Sequence, residues 1–216
     1  MKQLVGTLLL GWILFWAPRV AATAQMPDSI MIEGQRHSLT TLPLEGYLEG
    51  RKDFPPKEAA VSSANWRGYL AEWKIANGVL YLSDVTITTY ETMSYDGHRS
   101  SVLSLLFPKQ TRIPASWYSG ALIVPDGELA DYVHMGFGST YAHYRIYRVS
   151  HGRVVESLSL SRAEFEAYRD RKFEAFKKTS TYREQVAKMR KEQGGLPGEM
   201  QESFIKSFYA EDYLAQ

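Results

Sequence analysis

Tyr69-Leu70-Ala71-Glu72-Trp73-Lys74-Ile75-Ala76-Asn77-Gly78-Val79-Leu80-Tyr81-Leu82 decides the fold. Tyr69, Ala71, Trp73 and Ile75 alternate with Leu70, Glu72 and Lys74, the period of two that puts successive side chains on opposite faces of a strand. Asn77-Gly78 then supplies two residues that accept positive φ, as a type I′ turn requires. A two-residue turn sets Ile75 opposite Leu80 and Trp73 opposite Leu82, so one face of the hairpin is apolar throughout. The return strand is expected over Val79–Thr88.

Outward from this hairpin the chain keeps the same grammar. Ile30-Met31-Ile32 and Arg36-His37-Ser38-Leu39 form a smaller hairpin turned at Glu33-Gly34, and residues 51–63, with Pro55-Pro56, read as a loop. A meander is expected next: a strand over Ser101–Phe107, ended by Pro108, then Trp117–Val124. Pro125-Asp126-Gly127 reads as a turn into Leu129–Met135, Gly136-Phe137-Gly138 leads into Tyr141–Val149, and His151-Gly152 leads into Val154–Leu158. At Ser161 the period changes. Ser161 and Glu164 form a capping box, and Phe165, Tyr168, Phe173 and Phe176 give the following helix an apolar side. A second helix from about Thr181 carries Tyr182, Val186 and Met189, Gly194 to Gly198 end it, and Met200–Tyr213 reads as a third. The class is α+β: a largely antiparallel sheet, sandwich or partly open barrel (25–160), then C-terminal helices (161–216), in one domain.

Residues 1–24 read as an export signal. Lys2 is the positive end, Leu4–Trp16 is a 13-residue apolar core, and Ala22-Thr23-Ala24 offers small residues before a cleavage point. A spanning helix needs about 20 apolar residues, so cleavage after Ala24 is expected rather than an uncleaved anchor, with a periplasmic or secreted product and no later membrane span. The whole chain carries 25 Lys and Arg against 24 Asp and Glu; loss of Lys2 and Arg19 leaves 23 against 24, a formal charge of −1. That balance argues against nucleic acid as a partner. The chain holds no cysteine, which excludes disulfides, thiol nucleophiles and a lipoprotein anchor.

The densest polar cluster runs from Asp131 to His143. It holds Asp131, His134 and Ser139 beside a glycine-bearing turn, the residue types from which a hydrolase could draw an acid, a base and a nucleophile. The serine is not in a G-x-S-x-G elbow, and no helix follows Gly138 to hold an anion. The competing reading is a hairpin whose glycines make the turn. If His134 faces Tyr141, it shares a face with His143; if it faces Ala142, the two imidazoles lie on opposite faces. Tyr141, His143, Arg145 and Tyr147 would share one strand face, a candidate binding stripe or an ordinary solvated face. His37, His98, His134, His143 and His151 are scattered, with no helical pair for a metal, and no cofactor loop is present. Residues 162–192 carry ten Lys and Arg against six Asp and Glu, which suits an acidic surface or a solvated face with mixed charges.

Pro43-Leu44-Glu45-x-Tyr47, Trp66-Arg67-Gly68-Tyr69, Leu80-Tyr81-Leu82, the run Tyr132-Val133-His134-Met135-Gly136-Phe137-Gly138-Ser139-Thr140-Tyr141, and Phe173-x-x-Phe176-Lys177-Lys178-Thr179-x-x-Tyr182 occur in this order. Together they resemble a widespread group of small, uncharacterised bacterial proteins, in which Tyr commonly stands where this chain has Phe137. The resemblance implies an intact bacterial domain and brings no activity with it. The expected function is a non-enzymatic binding or interaction module of the bacterial envelope, immunity-like for example, whose partner is another protein or an envelope component. The alternative is the hydrolase around His134, Ser139 and Asp131.

Overall fold

The computed structural model describes residues 23–91, 96–110, 112–134, 136–193 and 197–216. The leader reading rests almost wholly on residues 1–22, which lie outside the described residues, as do Gly194 and Gly195. Among those described, nine strands form one mixed, mostly antiparallel sheet that is not closed, with helices at the C-terminal end of the chain.

β1 (Asp28–Ile32) and β2 (Gln35–Leu39) are the first hairpin. β3 (Tyr69–Ala76) and β4 (Val79–Tyr90) are the second, with Ile75 opposite Leu80 and Trp73 opposite Leu82, and Asn77 and Gly78 both at positive φ. Trp73, Leu80 and Leu82 are buried as the alternation requires. β1 runs parallel to β3, the one parallel pair of strands among the described residues. β5 (Gly97–Ser101) and β6 (Ile113–Pro114) both pair with β4. β7 (Gly120–Asp131), β8 (Thr140–Ser150) and β9 (Arg153–Ser161) follow as an antiparallel ribbon. β9 meets β4 only where Val79 faces Arg153. The opposite gap, between β2 and β7, is bridged by the next residues of the chain: Thr40 N–H and Oγ1 both donate to Ile123 O at 3.0 Å, and Ile123 N–H donates to Thr41 Oγ1 at 3.4 Å.

Two expectations for the meander are corrected. Pro125-Asp126-Gly127 is not a turn but a bulge inside β7, whose register against β8 shifts between Asp126 and Leu129 and again before Asp131. The residues that make a turn also make a bulge: Pro125 has no N–H to pair, and Gly127 takes φ +76°. Residues 103–106 are a short helix, α2 (Leu103–Leu106), rather than a strand. Strand pairing stops at Ser101, and a helical turn buries Leu103, Leu106 and Phe107 while leaving Leu105 exposed.

The curled sheet encloses one core, built from Ile30, Leu39, Leu44, Trp73, Leu80, Leu82, Leu122 and Val124 among others. A short helix, α1 (Glu45–Leu48), contributes Tyr47 to it, 4.8 Å from both Phe107 and Trp117. A second core lies outside the ribbon, where Ala121, Ile123, Tyr144 and Ile146 meet the helices. α3 (Arg162–Phe176) starts at the expected capping box and buries Phe165, Tyr168, Phe173 and Phe176. α4 is Ser180–Gln193. The expected third helix is two, α5 (Gly198–Phe208) and α6 (Ala210–Leu214), broken at Tyr209, where φ −111° and ψ 25° leave the helical region. The break lets Tyr213 and Leu214 turn into the core, both fully buried. No helix among the described residues is long and apolar enough to cross a membrane.

Candidate functional site

A cleft of about 370 Å³ opens where three distant segments meet: residues 40–45 after β2, the 133–140 loop between β7 and β8, and α3 with α5 and α6. Its walls are largely apolar and aromatic, with Leu42, Ile123, Tyr144, Phe165, Phe137 and Phe208 among them. That combination of apolar walls with a few polar groups is what small-ligand sites share.

The polar lining includes Glu45, Glu211, Arg169, Ser139 and Lys206, with several threonines and Ser207. Glu211 is half-buried at the start of α6, and its Oε2 accepts a bond from Leu42 N–H at 3.2 Å. Burial pushes its carboxyl up to about 7; Asp212 and Glu45 push the same way and Leu42 N–H opposes them. Asp212 is also raised by burial. Neither Lys nor Arg pairs with Glu211 among the described residues, although Arg169 and Lys206 line the same cleft. Glu45 accepts the Tyr69 hydroxyl at 2.6 Å, and burial together with that carboxylate raises the phenol well above its ordinary range. Lys206 is committed to Asp170 at 2.8 Å. Arg169 makes no hydrogen bond or ion pair among the described residues: its Nε is buried without a partner, and its guanidinium lies 5.8 Å from the centroid of Phe165.

Of the sequence candidates, Ser139 lines this cleft, and its hydroxyl is held by Val133, accepting from the backbone N–H at 3.1 Å and donating to the carbonyl at 3.4 Å. Asp131 lies outside the cleft lining, bound to Arg162 at 2.7 Å and to Thr140 Oγ1 at 3.2 Å. His134 is exposed and stands edge-on to Tyr132, 4.6 Å between ring centroids. The three side chains therefore have separate partners. The last ladder pair is Asp131 with Thr140, so His134 sits in the loop, and neither proposed register relates it to His143. Along the candidate stripe, Tyr141 packs against the helical core and Tyr147 against the sheet interior. Arg145 is held by Asp126 at 2.9 Å, and His143 is exposed.

The segments that carry the resemblance mostly serve packing in this chain. Glu45 and Tyr69, from two of them, bond each other. Trp117 Nε1 donates to Pro43 O at 2.9 Å, and Thr179 caps α4 by accepting from Tyr182 N–H at 3.2 Å. Glu45, Arg169 and Glu211 were not singled out by sequence reasoning. The available signal was an acid embedded in an apolar run, Pro43-Leu44-Glu45 and Tyr209-Ala210-Glu211-Asp212-Tyr213-Leu214. No family model matches the chain, and no curated protein or solved structure matches it.

Proposed function

We propose that the protein is a non-enzymatic binding module of the bacterial envelope that holds its ligand in the cleft between the 40–45 segment, the 133–140 loop and the C-terminal helices. One observation carries this reading: the cleft keeps a carboxylate, Glu211, and a guanidinium, Arg169, that are not paired with each other or with any other charged side chain described. Charged groups left without a counter-ion in a cleft concentrate where a ligand will meet them. The leader pattern of residues 1–24 supports the envelope as the place of work.

Fractionated envelope extract from a bacterium tests the reading. A ligand for the folded state raises Tm by mass action. The fraction that does so should also slow amide exchange in residues 40–45, 136–140 and 204–211. Ser207→Trp, which fills the cleft from an exposed helical position, should abolish both effects, while Ser203→Trp, on the same helix away from the cleft lining, should keep them. Protection confined to other regions, or an undiminished response in Ser207→Trp, would overturn it. The protein recovered from the same envelope should begin at Gln25.

A further inference from the structure

Among the described residues the cleft is lined by two acids, Glu45 and Glu211, and by the Arg169 guanidinium, which no acid pairs. Glu211 receives a single backbone bond, from Leu42, and its other oxygen has no described partner; Glu45 stands near enough to add to the local negative charge. Arg169 presents an unpaired guanidinium whose planar fork matches a carboxylate. Lys206 does not compete for Glu211, being held by Asp170. Phe165, Tyr144 and Ile123 line the space along with them, and its volume of about 370 Å³ is at the small end of ligand sites.

From the cleft reading above, on which this inference rests, we infer that the ligand is a short zwitterionic peptide or amino-acid derivative, its ammonium received by Glu211 and Glu45 and its carboxylate by Arg169. Apolar side chains of the ligand would lie against the aromatic walls. Each charged end meets a protein group that has no internal counter-ion, so each contact replaces an unmet electrostatic demand rather than breaking an existing pair.

Calorimetric titration of the whole folded protein with uncapped apolar dipeptides, Leu-Leu and Phe-Ala, tests this against the same peptides N-acetylated or C-amidated. Each cap should weaken binding about tenfold or more, the loss of one charged contact. Glu211→Gln should shrink the penalty for acetylation several-fold and leave that for amidation; Arg169→Gln should shrink the penalty for amidation and leave that for acetylation. The preference for a free ammonium should fade below about pH 7 as Glu211 takes up a proton, with Glu45, Asp212 and Tyr118 the titratable groups that face it. A purely structural role for Glu211 or Arg169 would not exchange one cap's penalty for the other's. Absence of dipeptide binding at millimolar concentration, or equal binding of capped and uncapped peptides, would overturn the inference. If Ser207→Trp still abolished stabilisation by envelope extract, the cleft would remain the binding site and only the ligand class would fall.

Discussion

Arg67 and Asp28 form an enclosed ion pair, 2.8 Å between Nη1 and Oδ1, with the two side chains 1% and 0% exposed. Asp28 also accepts from Ala71 N–H and Trp73 Nε1, each at 3.1 Å, and Arg67 donates a second bond to Met26 O at 2.9 Å. The pair thus fixes the start of β1 against β3, where their parallel pairing begins.

Breaking such a pair leaves a buried charge unmet. Arg67→Ala is expected to cost about 3–5 kcal/mol. Asp28→Asn keeps an acceptor for Trp73 but strands the guanidinium, and should cost a similar amount. Asp28→Asn combined with Arg67→Met should recover much of the loss, since neither charge is then left alone. Urea midpoints for the three variants check this; a parental midpoint for Arg67→Ala would show that the pair does not hold the junction.

Glu211 predicts a pH dependence of the opposite kind to an ordinary paired acid. Its carboxyl is held at about 7 in the folded chain, against about 4.3 when unfolded. Below the unfolded value both states are protonated and the group costs nothing. Between the two values the unfolded state loses its proton first, so stability falls as pH rises from about 4 to 7 and the loss is complete above 7. The shift corresponds to roughly 4 kcal/mol. Glu211→Gln should therefore be more stable than the parent at pH 8, by up to that amount, and the two should converge at pH 4. Parallel stability curves across this range would refute the assignment.

In the 133–140 loop the backbone, not the imidazole, carries the structural demand. Gly136 sits at φ +55°, its carbonyl accepts from Gln25 N–H at 2.9 Å, and an added Cβ would stand 3.3 Å from the Phe208 ring. Gly136→Ala should destabilise by about 1 kcal/mol or more. His134→Ala removes an exposed side chain whose contact is with Tyr132, and should change stability by no more than about 0.5 kcal/mol. Thermal melts distinguish the two. A large loss for His134→Ala with an unchanged Gly136→Ala would reverse the account.

Local chemistry made parts of this fold readable. Asn77-Gly78 fixed a register in which Trp73 faces Leu82, because only one turn geometry suits those residues, and the Ser161–Glu164 box marked the start of α3 because both bonds are local. Pro125-Asp126-Gly127 could not be resolved the same way: a bulge and a turn ask for the same residues, and only pairing of Asp126 opposite His143 decides between them. Leu103–Leu106 is too short for periodicity to separate helix from strand. The cleft was the least legible feature. Glu45, Arg169 and Glu211 lie far apart in sequence, and what unites them is the curl of the sheet together with the break at Tyr209, neither of which has a local signature.

The β7–β8 ribbon belongs to both cores at once. Leu122 and Val124 point into the sheet interior while their neighbours Ala121 and Ile123 face the helices, and Ile123 is also a wall of the cleft. A molecule built this way has a shared partition rather than two independent rooms. Neither core can melt without exposing the back of the other, so residues 120–124 should be among the last amides to exchange in the whole chain. Occupancy of the cleft presses on that same partition, and its stabilisation should spread through both halves of the protein instead of staying at the rim where the ligand sits.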